Sequence, residues 1–123
     1  MKLYKCNTCG NIINFVKSTA VPVMCCGKKM EEIIPGTSDG ASEKHVPIIS
    51  KKDGKVIVEV GSVKHPMLDE HYIEWIVLET TDGIYRKNLN PEDEPRAEFV
   101  INNGEQVVAA YEYCNIHGLW EGK

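Results

Sequence analysis

The sequence predicts a mainly β protein, in which a small cysteine-rich module precedes an antiparallel β-sandwich. Three observations carry that reading. From Ile48 to Tyr113, short runs rich in β-branched and aromatic residues recur, with turn formers at intervals of about 8–12 residues. Long amphipathic helix patterns are absent. Four of the five cysteines lie at the N-terminus, ahead of Pro35-Gly36-Thr37-Ser38-Asp39-Gly40-Ala41-Ser42, a linker of turn formers with almost no apolar residue. The boundary is therefore placed near residue 37, giving units of 1–36 and 37–123.

A length of 123 residues fits a small module joined to one modest domain. No apolar run approaches the roughly 20 residues of a membrane span, and no signal-peptide core is visible, so the expected location is cytoplasmic. A reducing compartment disfavours disulfides, and an odd cysteine count does not suit a paired framework; clustered cysteines then point to metal. The net charge of −4, without a basic stripe, gives no support for nucleic-acid binding.

In the first unit, Cys6-Asn7-Thr8-Cys9-Gly10 places two thiols where a tight turn can hold one metal. Ile12 to Val16 reads as a short strand. Met24-Cys25-Cys26-Gly27 supplies a second, adjacent pair. Neighbouring side chains of a strand point opposite ways, so Cys25 and Cys26 must sit in a bend, which Gly27 eases. Four thiolates suit a closed tetrahedral site for iron or zinc. A vicinal disulfide, or free thiols, would make the Cys6/Cys9 pair a coincidence.

In the second unit, Glu43-Lys44-His45 stands before Pro47, which keeps Val46 extended. On its own this is a solvated loop; with His45 as a ligand, Lys44 is held near metal. Asp53-Gly54 between Ile48-Ile49 and Lys55–Val60 predicts a hairpin. Strands are also predicted over His71–Glu79, Ile84–Lys87, Ala97–Ile101 and Gln106–Tyr113, with turns at Asp82-Gly83 and Asn103-Gly104. His65 and His71 flank a short loop. Cys114 and His117 lie three positions apart after the last predicted strand. A lone His beside a strand is usually a surface or core residue. Here every Cys and His falls into one of two ligand sets: Cys6, Cys9, Cys25 and Cys26, or His45, His65, His71, His117 and Cys114. Both are donor types for iron, copper or zinc.

Taken together, Leu3–Gly10 with Val23–Gly27, Glu43–Pro47, Gly61–Met67, His71–Trp75 and Tyr113–Gly118 resemble desulfoferrodoxin, the two-iron class of superoxide reductase, over essentially the whole chain. The resemblance implies a desulforedoxin-like module with one iron in four cysteines, then an immunoglobulin-like β-sandwich. The sandwich would hold a second iron through equatorial His45, His65, His71 and His117 and axial Cys114. It implies one-electron reduction of superoxide to hydrogen peroxide, with Lys44 attracting the anion and holding the proton-delivering water. Glu43 would ligate the ferric ion at the sixth position. It further implies an electron donor such as rubredoxin and a homodimer. Lys64, beside His65, is expected by position alone to add to the positive patch. Rival readings are an electron carrier with saturated metals, a zinc-dependent structural module and a superoxide dismutase. Structural zinc wants four ligands, which leaves the five-donor set unexplained.

Overall fold

A computed structural model describes residues 1–123, which divide into two compact units, Met1–Ile34 and Pro35–Lys123. Gly36 goes with the second, its N–H donating to Leu119 O at 2.9 Å.

The first unit is built on a three-stranded antiparallel sheet in the order β2-β1-β5, from β1 (Leu3–Lys5), β2 (Ile12–Ile13) and β5 (Glu31–Ile33). Beside it lies a two-stranded hairpin of β3 (Met24–Cys25) and β4 (Lys28–Lys29). Leu3, Cys6 and Met30 are its buried apolar residues, a very small core. The predicted strand over 12–16 is shorter than expected. Only Ile12 and Ile13 pair with β1, Phe15 turns onto the Tyr4 ring at 5.2 Å, and Val16 is fully exposed.

The second unit is the predicted sandwich. One sheet has the order β10-β7-β6, from β6 (Pro47–Lys52), β7 (Lys55–Val60) and β10 (Arg96–Val100). The other has the order β12-β11-β8-β9, from β8 (Ile73–Thr80), β9 (Ile84–Asn88), β11 (Val107–Cys114) and β12 (Gly118–Gly122). All pairings are antiparallel. Val56, Val58 and Val60 of β7 alternate inward against Ile73, Ile76 and Leu78 of β8 and Ala110 and Cys114 of β11. Asp53 (φ +52°) and Gly54 (φ +77°) form the two-residue turn that the sequence suggests, with Lys52 paired to Lys55.

Two elements of the second unit were not predicted. Ser42–His45 forms one helical turn, α1, with no side-chain cap, where the sequence suggests a loop. Strand β12 follows His117, and Gly122 is the only residue that fits where it passes the Pro47 carbonyl.

At the opposite end from Cys114 along β11, the buried carboxylate of Glu105 joins three segments. It accepts from the Thr80 hydroxyl through a short contact, from Tyr85 OH at 2.9 Å and from Asn102 N–H at 2.8 Å. These donors, Thr80 first, hold its pKa below the ordinary value. A lowered folded-state pKa stabilises the fold above the unfolded value of 4.5 and ceases to do so as pH falls through the folded value. Glu105→Ala should therefore lower Tm at pH 7 by several degrees. Thermal melts in acid should show the gap to wild type narrowing; a gap independent of pH would show that ionisation of Glu105 contributes nothing.

Candidate metal centres

Cys6, Cys9, Cys25 and Cys26 bring their sulfurs within 4.8 Å of one another. A turn closed by Gly10 N–H to Cys6 O at 2.9 Å presents the first pair, and Cys9 N–H points to Cys6 Sγ at 3.4 Å. The adjacent pair works because Cys26 and Gly27 are the two turn residues of the β3–β4 hairpin. Both have positive φ, +52° and +74°, as a type I′ turn demands. Cys25 then ends a strand while Cys26 occupies the turn, so both thiols reach one point. A left-handed Cys costs about 1–2 kcal/mol, which its ligand role offsets. Sulfur–sulfur approach is close, 3.6 Å between Cys9 and Cys25. The backbone amides of Cys9 and Thr8 lower the Cys6 thiol to about 6, while hydrogen bonding from the neighbouring sulfurs, Cys9 first, pushes Cys26 up to about 12. Four sulfur donors converging on one point are a cation site.

The second set gathers where loops of the sandwich converge. His45 comes from α1, His65 from the segment after β7, His71 from the approach to β8, and Cys114 and His117 from the end of β11 and its turn. Their donor atoms also lie within 4.8 Å of one another. The imidazoles form a square. Successive ring centroids, His45–His65–His71–His117, are 4.7, 4.7 and 5.0 Å apart, and 4.8 Å closes the circuit. Neighbouring rings stand at 75–90°, and the His45–His71 diagonal is 6.5 Å.

The hydrogen bonds around the square dictate what belongs at its centre. His45 Nδ1 lies 2.8 Å from Ala41 O and His65 Nδ1 lies 2.6 Å from Pro66 O. A carbonyl only accepts, so both Nδ1 atoms carry the proton and both Nε2 atoms present lone pairs. Those two Nε2 atoms are 3.2 Å apart. Burial lowers the pKa of His45 and His65, the latter to about 4, so neither is protonated at neutral pH. His71 Nε2 is buried with no hydrogen-bond partner. Facing lone pairs, with His117 Nδ1 3.0 Å from His45 Nε2, and an orphaned ring nitrogen fit a bound cation. Burial raises the Cys114 thiol, partly opposed by the amides of His117 and Ile116, so ionisation of this ligand needs the metal's own charge.

Several supporting residues carry no sequence signal. Trp120 stacks on His45 at 4.9 Å and donates from Nε1 to His117 O at 3.0 Å. Gly40 passes so close that a Cβ there would meet Trp120, His117 and His45 at 3.1–3.2 Å. Asn115 ties the Cys114 loop to the His71 segment, accepting from Tyr72 N–H at 2.9 Å and donating to Glu70 O at 3.1 Å. Glu112, two residues before Cys114, is fully buried with both carboxylate oxygens unpartnered, and burial pushes it up to about 9. Only the Trp120 position, a large aromatic close behind the Cys-x-x-His, was discoverable in principle.

Glu43 and Lys44 are exposed on α1, and Glu43 is outside the five-donor cluster. The Glu43 carbonyl accepts from Val63 N–H at 2.8 Å and Ser62 Oγ at 3.2 Å, which fixes the turn that carries both. The charge of Lys44 is among the influences that lower His45 and His71, so its field reaches the imidazoles. Lys64 instead pairs with Glu94 at 3.0 Å, both side chains 67% exposed, which reduces any part it has in a positive patch.

A β-sandwich holding four imidazoles and a thiolate, with a separate four-thiolate module, defines a small metalloprotein with two centres of soft and borderline donors. The chain belongs to the desulfoferrodoxin family: residues 37–123 match the desulfoferrodoxin model and residues 1–33 match its N-terminal domain. It is 49% identical to desulfoferrodoxin of Nitratidesulfovibrio vulgaris over 123 residues, 99% of this chain and 95% of that one. It is 47% identical to a desulfoferrodoxin homolog of Archaeoglobus fulgidus over 121 residues, 98% of this chain and 95% of that one. Among solved structures, the superoxide reductase of Treponema pallidum matches with a TM-score of 0.82 and 37% identity, covering 98% of each chain. The two donor sets are those of a protein with two irons per chain.

At Gly61 a Cβ would meet Glu43 O at 2.5 Å and Lys44 C at 2.9 Å, both backbone atoms that cannot rotate away. Gly61→Ala should therefore displace α1 and cost about 1–3 kcal/mol. Thermal denaturation and iron content per chain should both fall; unchanged iron retention would show that α1 is not held in place from this side.

Proposed function

We propose that this chain is a superoxide reductase, adding one electron and two protons to superoxide to give hydrogen peroxide. The observation that carries the reading is the cluster of four imidazoles and one thiol around a point that suits a cation. Similarity to a solved superoxide reductase supports it. The second unit forms the reductase domain and the first the four-cysteine iron module.

His45, His65, His71, His117 and Cys114 would hold the iron, which would supply the ferrous–ferric couple. Neutral imidazoles leave the metal's charge largely uncancelled, and the Cys114 thiolate donates electron density to it. Trp120 stacks on His45, which with His65 is buried, whereas His71 and His117 are only partly buried. Lys44, exposed on α1, draws superoxide to the site and holds the water that passes on a proton. This local field is needed because the second unit is acidic overall. Glu43 would add a carboxylate ligand to the oxidised iron and help product leave. A small carrier such as rubredoxin returns the electron. The four-cysteine centre has no open position for substrate and serves electron storage, relay or folding. The protein works as a cytoplasmic homodimer, in keeping with a first unit too small to be stable alone. No helix is long and apolar enough to cross a membrane.

Visible spectra with metal analysis test the reading first. Two irons per chain, a ferric tetrathiolate spectrum and a further thiolate-to-iron band on oxidation are expected; a colourless zinc protein that takes up no iron would sink it. Pulse radiolysis of the ferrous protein then tests the roles. Lys44→Ala should slow the reaction with superoxide roughly tenfold and flatten its salt dependence. Glu43→Ala should change the ferric spectrum and leave that reaction fast.

A further inference from the structure

Charge is divided unevenly along the chain. Residues 1–34 carry five lysines against two glutamates, a formal +3; the chain total of −4 then leaves −7 for residues 35–123. An iron tetrathiolate adds one or two negative charges, so the loaded first unit still keeps a formal +1 or +2. The asymmetry follows the unit boundary.

The positive charge is placed beside the sulfurs. Cys25 pairs across the hairpin with Lys28, and Met24 with Lys29. Directly opposed side chains of an antiparallel pair stand about 5 Å apart at Cβ, so Lys28 flanks the thiol set. Both lysines are exposed, as are Cys9 and Cys26, while Cys6 is buried. Met24, 61% exposed, adds an adaptable apolar contact at the same hairpin. One edge of the four-sulfur site is thus open to the surface, with cations and an apolar side chain around it. A structural tetrathiolate needs no such exposure. Electron transfer between proteins does, because it needs close approach of the two centres and a loosely held, charge-matched contact.

We propose that the first unit is the docking surface for a small acidic one-electron carrier, which meets the exposed Cys9–Cys26 edge between Lys28, Lys29 and Met24. The carrier loses one electron and the ferric four-sulfur iron gains it, with no proton moved. This rests on the reductase reading only for the electron's destination.

The test uses the full-length two-iron protein and reduced rubredoxin, an acidic carrier, as the probe. In stopped flow at low salt, Lys28→Glu/Lys29→Glu should slow reduction of the four-sulfur iron at least tenfold, with Lys28→Gln/Lys29→Gln intermediate. The difference should vanish near 0.5 M salt, where the Debye length falls to a few Å. Binding of rubredoxin to protein with zinc in the four-cysteine site, followed by NMR line broadening, should weaken in parallel without any electron transfer. An unchanged tetrathiolate spectrum shows that the variants fold. Equal rates in wild type and variants, or rubredoxin contacts mapping to residues 35–123, would overturn the proposal. So would a variant that altered oligomeric state and left carrier binding intact, since the face would then belong to a second copy. Superoxide reactivity of the ferrous protein, generated without a carrier, is read separately; its absence would sink the reductase reading and not the docking surface.

Discussion

Two lone pairs held 3.2 Å apart are the constraint on which the second unit depends. His45 and His65 each give their Nδ1–H to a backbone carbonyl, and each is too buried to take up a second proton at neutral pH. Their Nε2 atoms therefore repel until a cation lies among them. Ala41 and Pro66, which supply the two carbonyls, stand beside α1 and after β7. Packing that secures those segments also fixes which ring nitrogens face inward. The Val63–Glu43 hydrogen bond and the close passes of Gly40 and Gly61 serve that end. Without metal, all of this burial works against the imidazoles; with metal, it removes competing protons and water.

The same burial separates the ligands by kind. Cys114 needs the metal in order to ionise, whereas Cys6 is held at about 6 by amides before any metal arrives. Behind Cys114, Glu112 stays uncharged at neutral pH, since a carboxylate with no partner has nothing to offset its desolvation. The thiolate ligand is therefore spared a second negative charge in the same low-dielectric space.

The ligands were legible in the sequence because Cys and His are scarce and their clustering has few other causes. The sandwich was legible too, since its strands alternate and its turns are marked by Asp-Gly and Asn-Gly. What could not be read was whatever tertiary contact decides. β12 escaped notice because Gly118 and Gly122 weaken its pattern, although Leu119 and Trp120 are buried in it. α1 is a single turn without a capping side chain, held by Val63 and Ser62 and not by its own propensity. Cys26 looked merely awkward beside Cys25 until the hairpin placed it at a turn position. Lys64 illustrates the limit of adjacency: it neighbours His65 in sequence, yet its ammonium group pairs with Glu94.

The two donor sets differ most in who can reach them. The five-donor pocket is sunk in the sandwich, with His45, His65 and Cys114 all buried, so only a small molecule can approach its centre. The four sulfurs leave Cys9 and Cys26 at the surface, where a small molecule gains nothing from a closed shell but a protein can come close. Net charge follows the same division, negative for the second unit and positive for the first. An anionic substrate thus meets net negative charge in the second unit, whereas net positive charge in the first favours acidic partners. Accessibility and net charge set the two centres apart before any potential is known.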